Sequence, residues 1–244
     1  MVQRGRVAVR GGCVNLLFIA SGAMEFRGLM ARAVGVRRHS IGLDWVRSGK
    51  LGEHEAMFVA NGVGAARAAA GFDMAVRNFP PDAVISTGFC GALDPDLRLS
   101  DVVVGEAIIG SGTSYPSLPV SGAGAFRTGP IYSSDRVVRT AREKRELRAK
   151  GARAVEMEAV GIAERTQKTG LPFYCVRVIT DLADEDIVND FGAALRDDGH
   201  FDTMVIVGNA LRHPSVRVPE LIRLRNRCVR ATRALGDFFA GCRF

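Results

Sequence analysis

The chain has 244 residues, of which 47% are hydrophobic and 24% charged. That balance fits one α/β domain with a full apolar core and excludes a disordered chain. The formal net charge of +7 favours encounter with something anionic: phosphate, nucleic acid or a lipid surface.

Residues 1–12 (MVQRGRVAVRGG) read as a poorly ordered basic leader ahead of a single domain over 13–244. The apolar run Cys13–Ala20 is far shorter than the roughly 20 residues that span a bilayer. It continues into Gly-rich sequence without a small-residue cleavage signature, so no signal peptide is expected. Val14–Ala20 reads as a buried strand, Ser21-Gly22 as a turn, and a helix is expected from about Met24. The same logic repeats in AMFVANGVGAARAAAGFDMAV: a strand to Ala60, a turn at Gly62 and Gly64, then an Ala-rich helix. DAVISTGFCGAL predicts a buried strand over Ala83–Ser86 that enters a Gly-rich loop. Ser100–Gly112 carries the β-branched residues of a strand. SSDRVVRTAREKRELRAKG opens with a Ser/Asp cap and continues as a solvated helix. GARAVEMEAVGIAERTQ is a strand end that turns at once into a helix, with Glu156 and Glu158 at the junction. Pro172–Asp184 predicts one more buried strand. Residues from Asn189 to Ala240 predict two helices separated by RHPSVRVPE.

Strands alternate with helices and are mostly apolar throughout. This predicts a largely parallel or mixed sheet covered on both faces. Glycines and acids gather at the carboxyl ends of the strands, the edge where open α/β sheets bind ligands. Five cysteines are scattered without a CxxC pair and read as reduced thiols of a cytoplasmic protein. Four dispersed histidines give no metal-ligand spacing, so no metal is expected.

Four strand ends stand out: SGAMEFR, STGFCGAL, VEMEA and ITDLAD. Two carboxylates at a buried junction are costly unless something binds there. NGVGAA does not match the dinucleotide fingerprint, and no phosphate-loop lysine is present. Asp181 by itself would read as a helix cap, and the Glu156/Glu158 pair as acids favoured by a helix dipole.

Taken together, AVEMEAVGIA, VRVITDLADE and VISTGFCGALDPDLRLSDVVVGEA resemble the purine nucleoside phosphorylase and methylthioadenosine/adenosylhomocysteine nucleosidase superfamily. The flavour of GFCGALDPDLR, SSDRVVRTAREKREL and LPFYCVRVITDLADED is similar to its hopanoid-associated phosphorylase branch. The resemblance implies a three-layer α/β sandwich and cleavage of the N-glycosidic bond of an adenine nucleoside. The substrate is expected to be a 5′-substituted or hopanoid-linked adenosine. No metal or organic cofactor is implied, only inorganic phosphate as co-substrate, and a homo-oligomer is expected.

The resemblance also implies roles. Met157 packs on the ribose and Glu158 accepts hydrogen bonds from its hydroxyls. A carboxylate there also stabilises the oxocarbenium-like sugar. Glu156 is expected to be structural. Asp181 takes the place of the acid that protonates the leaving purine, with Asp184, Glu185 and Asp186 following it. Thr87, Gly88 and Phe89 are expected to line the site, Phe89 where the family often has Ser. Val137 stands where an aromatic often stacks on the base. Hydrolytic members carry a glutamate three residues after the Met of GAME, and Arg27 stands there instead. Arginine cannot serve as a base but binds phosphate well, beside the Gly22 turn. Phosphorolysis is therefore the main expectation. Hydrolysis through Glu25 is the alternative, and a non-catalytic nucleoside- or lipid-binding protein the third.

Leu221, Leu224, Cys228, Ala231, Leu235 and Phe238 form one apolar helical stripe, with arginines on the other faces. This is either a packing helix with a solvated basic side or a peripheral contact with a membrane surface. No recognition-helix, RNP or OB signature points to nucleic acid.

Overall fold

The computed structural model describes residues 13–122 and 124–244, so the expected leader lies outside the described residues. The first strand shows why the sheet is central. In β1 (Asn15–Ala20) Leu17 and Ile19 enter one hydrophobic cluster while Leu16 and Phe18 enter another. Alternating side chains point to opposite faces, so a strand apolar at every position must be covered on both.

Among the described residues the sheet has ten strands in the order β10-β6-β8-β9-β5-β1-β4-β3-β2, with β7 beside β6. Its members are β1, β2 (Val34–His39), β3 (Trp45–Leu51), β4 (His54–Ala60), β5 (Ala83–Ala92), β6 (Val102–Gly110), β7 (Thr113–Pro116), β8 (Arg127–Ser133), β9 (Ala154–Glu156) and β10 (Phe173–Asp181). Pairing is mixed: β1–β4, β1–β5, β5–β10, β6–β8 and β8–β9 are parallel, the others antiparallel. Because β5 pairs with both β9 and β10, one end of the sheet curls into a closed ring.

Helices α2 (Ala65–Asn78) and α4 (Ala159–Thr169) cover one face through Ala68, Phe72, Ala159 and Ile162. Helix α6 (Pro214–Ala240) covers the other through Ala231, Leu235 and Phe238, with short α1 (Arg27–Met30) against it. Helices α3 (Ala141–Arg148) and α5 (Thr203–Leu211) complete the fold. The mixed α/β single domain with flanking helices is as the sequence predicts.

Several local expectations change. The helix expected at Met24 begins as a 3-10 turn over Ala23–Phe26. The Gly-rich loop after Ser86 is strand: β5 runs on through TGFCGA, held by β10 from Val84 to Gly91. Strands β2 and β3 lie outside the elements the sequence predicts; β2 is an exposed edge without burial alternation. The α3 cap is Thr140, whose hydroxyl accepts from Glu143 N, and not the upstream Ser/Asp. RHPSVRVPE does not separate two helices. From Pro214 onward it is the first turns of α6, where Pro214 needs no amide partner and Pro219 forgoes one bond. The foreseen α6 stripe faces inward, and Arg223, Arg225, Arg230 and Arg233 face out. Among the described residues no helix is long and apolar enough to cross a membrane.

Candidate active site

The carboxyl ends of β1, β5, β9 and β10 converge on a cavity of about 290 Å³. Glu25, Phe89, Val137, Met157, Glu158 and Asp181 line it, with Phe191, Phe201 and Leu224 completing an apolar wall. Phe191 and Phe201 meet edge to face, centroids 6.0 Å apart.

Glu25 reaches the cavity because the 3-10 turn buries it together with Phe26. Its Oε2 accepts from Ser21 Oγ at 2.7 Å and from Gly22 N at 2.9 Å, and its Oε1 accepts from Phe89 N at 2.7 Å. A carboxylate has about four acceptor positions, so one remains for a ligand. Gly88, at φ +136°, makes the approach possible, because a side chain there would collide with Glu25. Asp181, the last residue of β10, reaches the cavity beside Gly91, where a Cβ would lie 2.7 Å from Asp181 Oδ2. The two glycines that the sequence reads as a loop are thus clearances in a strand for two carboxyl groups.

Beneath the cavity lies Arg177 of β10, 0% exposed. It pairs with Glu156 Oε2 at 2.5 Å and more loosely with Glu158 Oε2 at 3.4 Å. It also donates to Ser86 Oγ at 2.7 Å and to the Thr87 carbonyl at 3.1 Å. Glu156 caps α4 by accepting from the amides of Glu158 and Ala159, the structural role expected of it. Glu158 Oε1 accepts from Gly64 N at the start of α2. Burial, then the neighbouring Glu156, pushes the Glu158 carboxyl up to about 8 despite Arg177. Burial would lower the Arg177 guanidinium, but Glu156 leads the neighbours that hold it above its ordinary value.

Asp181 meets a second buried cation. Lys144 Nζ donates to Asp181 Oδ2 at 2.6 Å, and Thr180 Oγ1 lies 3.3 Å from Asp181 Oδ1.

Of the residues singled out from sequence, the structure brings Phe89, Val137, Met157, Glu158 and Asp181 together around the cavity. Thr87 and Gly88 sit behind its wall: Thr87 is fully buried and Gly88 packs on Glu25 and Arg177. The expected phosphate pair is not assembled. The Gly22 amide is occupied by Glu25, and Arg27 is exposed, because one residue beyond the buried Glu25–Phe26 pair the turn carries it away from the cavity. Arg177 and Lys144 were not singled out, although a lone arginine inside the apolar run CVRVIT is itself a signal that a carboxylate waits in the core.

A sequence model of the phosphorylase superfamily matches residues 33–125 and 119–200. The chain belongs to the phosphorylase superfamily. Two relatives are 5′-methylthioadenosine/S-adenosylhomocysteine nucleosidases. That of Staphylococcus saprophyticus is 28% identical over 176 residues, covering 60% of this chain and 77% of its own. That of Staphylococcus aureus strain JH9 is 27% identical over 177 residues, covering 61% and 78%. Among solved structures, the nucleosidase of Neisseria meningitidis with methylthio-immucillin-A superposes with a TM-score of 0.67 at 21% identity, covering 92% of this chain and 97% of that one. The futalosine hydrolase mutant of Helicobacter pylori gives 0.65 at 16%, covering 92% and 97%. These superpositions establish the shared fold.

Proposed function

We propose that the protein hydrolyses the N-glycosidic bond of an adenine nucleoside with a small or apolar 5′ substituent. The observation that carries the reading is Glu25: buried, aimed into the cavity, held by three donors and left with one free acceptor position. Gly88 and Gly91 of β5 are the clearances for Glu25 and Asp181, and both acids line the same cavity. Glu25 takes a proton from water, and the water oxygen bonds to the anomeric carbon. Glu158 holds the ribose hydroxyls and Met157 packs on the ring. Asp181 gives a proton to the base as the carbon–nitrogen bond breaks. The products are free adenine and the 5′-substituted ribose. The apolar wall of Val137, Phe191, Phe201 and Leu224 suits a purine and an apolar 5′ group.

The named activity of the staphylococcal relatives supports water as nucleophile. A phosphate route would need anion ligands, and Arg27 and the Gly22 amide are both directed elsewhere. A hopanoid-linked adenosine belongs to this proposal only as one apolar 5′ substituent among others. The homo-oligomer is likewise proposed, supported by the exposed apolar side chains of Met204, Leu211 and Ile222.

The test is adenine release from 5′-methylthioadenosine and from longer 5′-alkylthio analogues, with and without phosphate. Equal release in phosphate-free buffer is expected. Release that requires phosphate would restore the phosphorylase reading, and tight nucleoside binding without release would make this a binding protein.

A further inference from the structure

Helix α3, sequence AREKRELR, is almost wholly charged and mostly exposed, yet its Lys144 is 0% exposed. A buried lysine is costly unless every donor is used. Here all three are: Nζ donates to Asp181 Oδ2 at 2.6 Å, to the Leu182 carbonyl at 2.6 Å and to the Glu185 carbonyl at 3.0 Å. One ammonium therefore holds both the candidate acid and the backbone that follows it. The segment is tied down at other points as well. Ala141 N donates to Asp186 Oδ1 at 2.6 Å, and Ile187 N donates to the Arg139 carbonyl at 2.8 Å. From the opposite side, Arg227 of α6 pairs with Glu185 Oε2 at 2.6 Å. Ile187, at the end of this segment, lines the cavity.

We propose that Lys144 is the positioning residue for Asp181, an inference that rests on the acid role given to Asp181 above. Lys144 fixes one carboxyl oxygen and leaves the other, whose partner among the described residues is the long Thr180 contact, to meet the leaving base. When Asp181 passes its proton to the base, the carboxylate left behind already faces an ammonium ion. The function is electrostatic and geometric, and Lys144 itself need not touch the nucleoside.

The test compares two substrates in wild type, Lys144→Met, Asp181→Asn and the double variant. One is 5′-methylthioadenosine, whose adenine needs a proton to leave. The other is 4-nitrophenyl β-D-ribofuranoside, whose phenolate leaves unprotonated. Lys144→Met is expected to lower kcat on the adenine nucleoside about 30- to 100-fold with KM within about 3-fold, and to leave the nitrophenyl substrate within about 3-fold. In the Asp181→Asn background it should add less than about 3-fold, because residues acting as one unit are not additive. The ratio of the two activities does not depend on how much of a variant folds, so poor folding leaves the test valid. Equal losses on both substrates, or losses that multiply in the double variant, would overturn the inference while sparing the nucleosidase reading. A wild type that cleaves neither substrate overturns that reading, and the inference falls with it.

Discussion

Among the described residues two cations are buried under the cavity, and they solve different problems. Arg177 lies within the sheet and faces Glu156 at 2.5 Å and Glu158 at 3.4 Å, with Glu25 close behind Gly88. Lys144 comes from a helix and faces one carboxylate and two carbonyls. The first group has more carboxylates than cations, and burial with Glu156 lifts Glu158 to about 8. The second sets one ammonium against one carboxyl group. The end assigned to the sugar is therefore short of positive charge where a cationic sugar would form. The end assigned to the base carries a cation that orients its acid and faces the charge left when the proton goes.

The sharpest way to break this comparison is to remove one carboxylate from each end. Glu25→Gln and Asp181→Asn are each expected to lower kcat for adenine release about 10²- to 10⁴-fold, the usual reach of a general base or acid. A steady-state assay checks this, and near-normal turnover in either variant would sink the proposed roles. Removing the cations should separate the two ends by stability. Arg177→Met strands Glu156 in the sheet and should cost about 3–5 kcal/mol. Lys144→Met leaves Asp181 at a cavity that water can enter and should cost about 1–3 kcal/mol. Chemical denaturation of both variants reads the difference, and equal costs would contradict it.

Glu158 gives a pH test with a definite sign. Its folded carboxyl binds a proton more tightly than the unfolded one, so its contribution to stability is full below about pH 4.5. That contribution is lost as pH rises to about 8 and is constant above. Glu158→Gln mimics the neutral form, and its melting temperature should fall less than wild type between about pH 5 and 8.5. Parallel curves for the two proteins would show that Glu158 is not the group responsible. The smallest effect belongs to the support of the lysine. Thr140→Ala removes the α3 cap and should cost about 1 kcal/mol, roughly 2–4 °C in melting temperature, with little change in kcat.

Much of this site was legible in the chain itself. VEMEA and ITDLAD place Glu158 and Asp181 at strand ends, and their apolar flanks make both strands central. Where local sequence misleads, the missing information is rotational or long-range. Choosing Arg27 over Glu25 required knowing which way a 3-10 turn faces, and two residues decide that by helical phase alone. Reading STGFCG as a loop followed from its glycines. They are in a strand because the side chains of Glu25 and Asp181 come over them, from residues 63 and 90 positions away along the chain.

By itself, then, the sequence determined the alternating elements, the two-sided burial of β1, β5 and β10, and the strand ends at which carboxylates gather. These depend on neighbours within a few residues, where hydrophobic periodicity and capping act. Only the tertiary structure decided which carboxylate turns inward, that β5 continues to Ala92, and which cation serves which acid. Arg177 and Ser86 are 91 residues apart, and Lys144 and Asp181 are 37. Contacts at such separations leave no local pattern, because the partners meet only once the sheet has closed and the helices have packed against it.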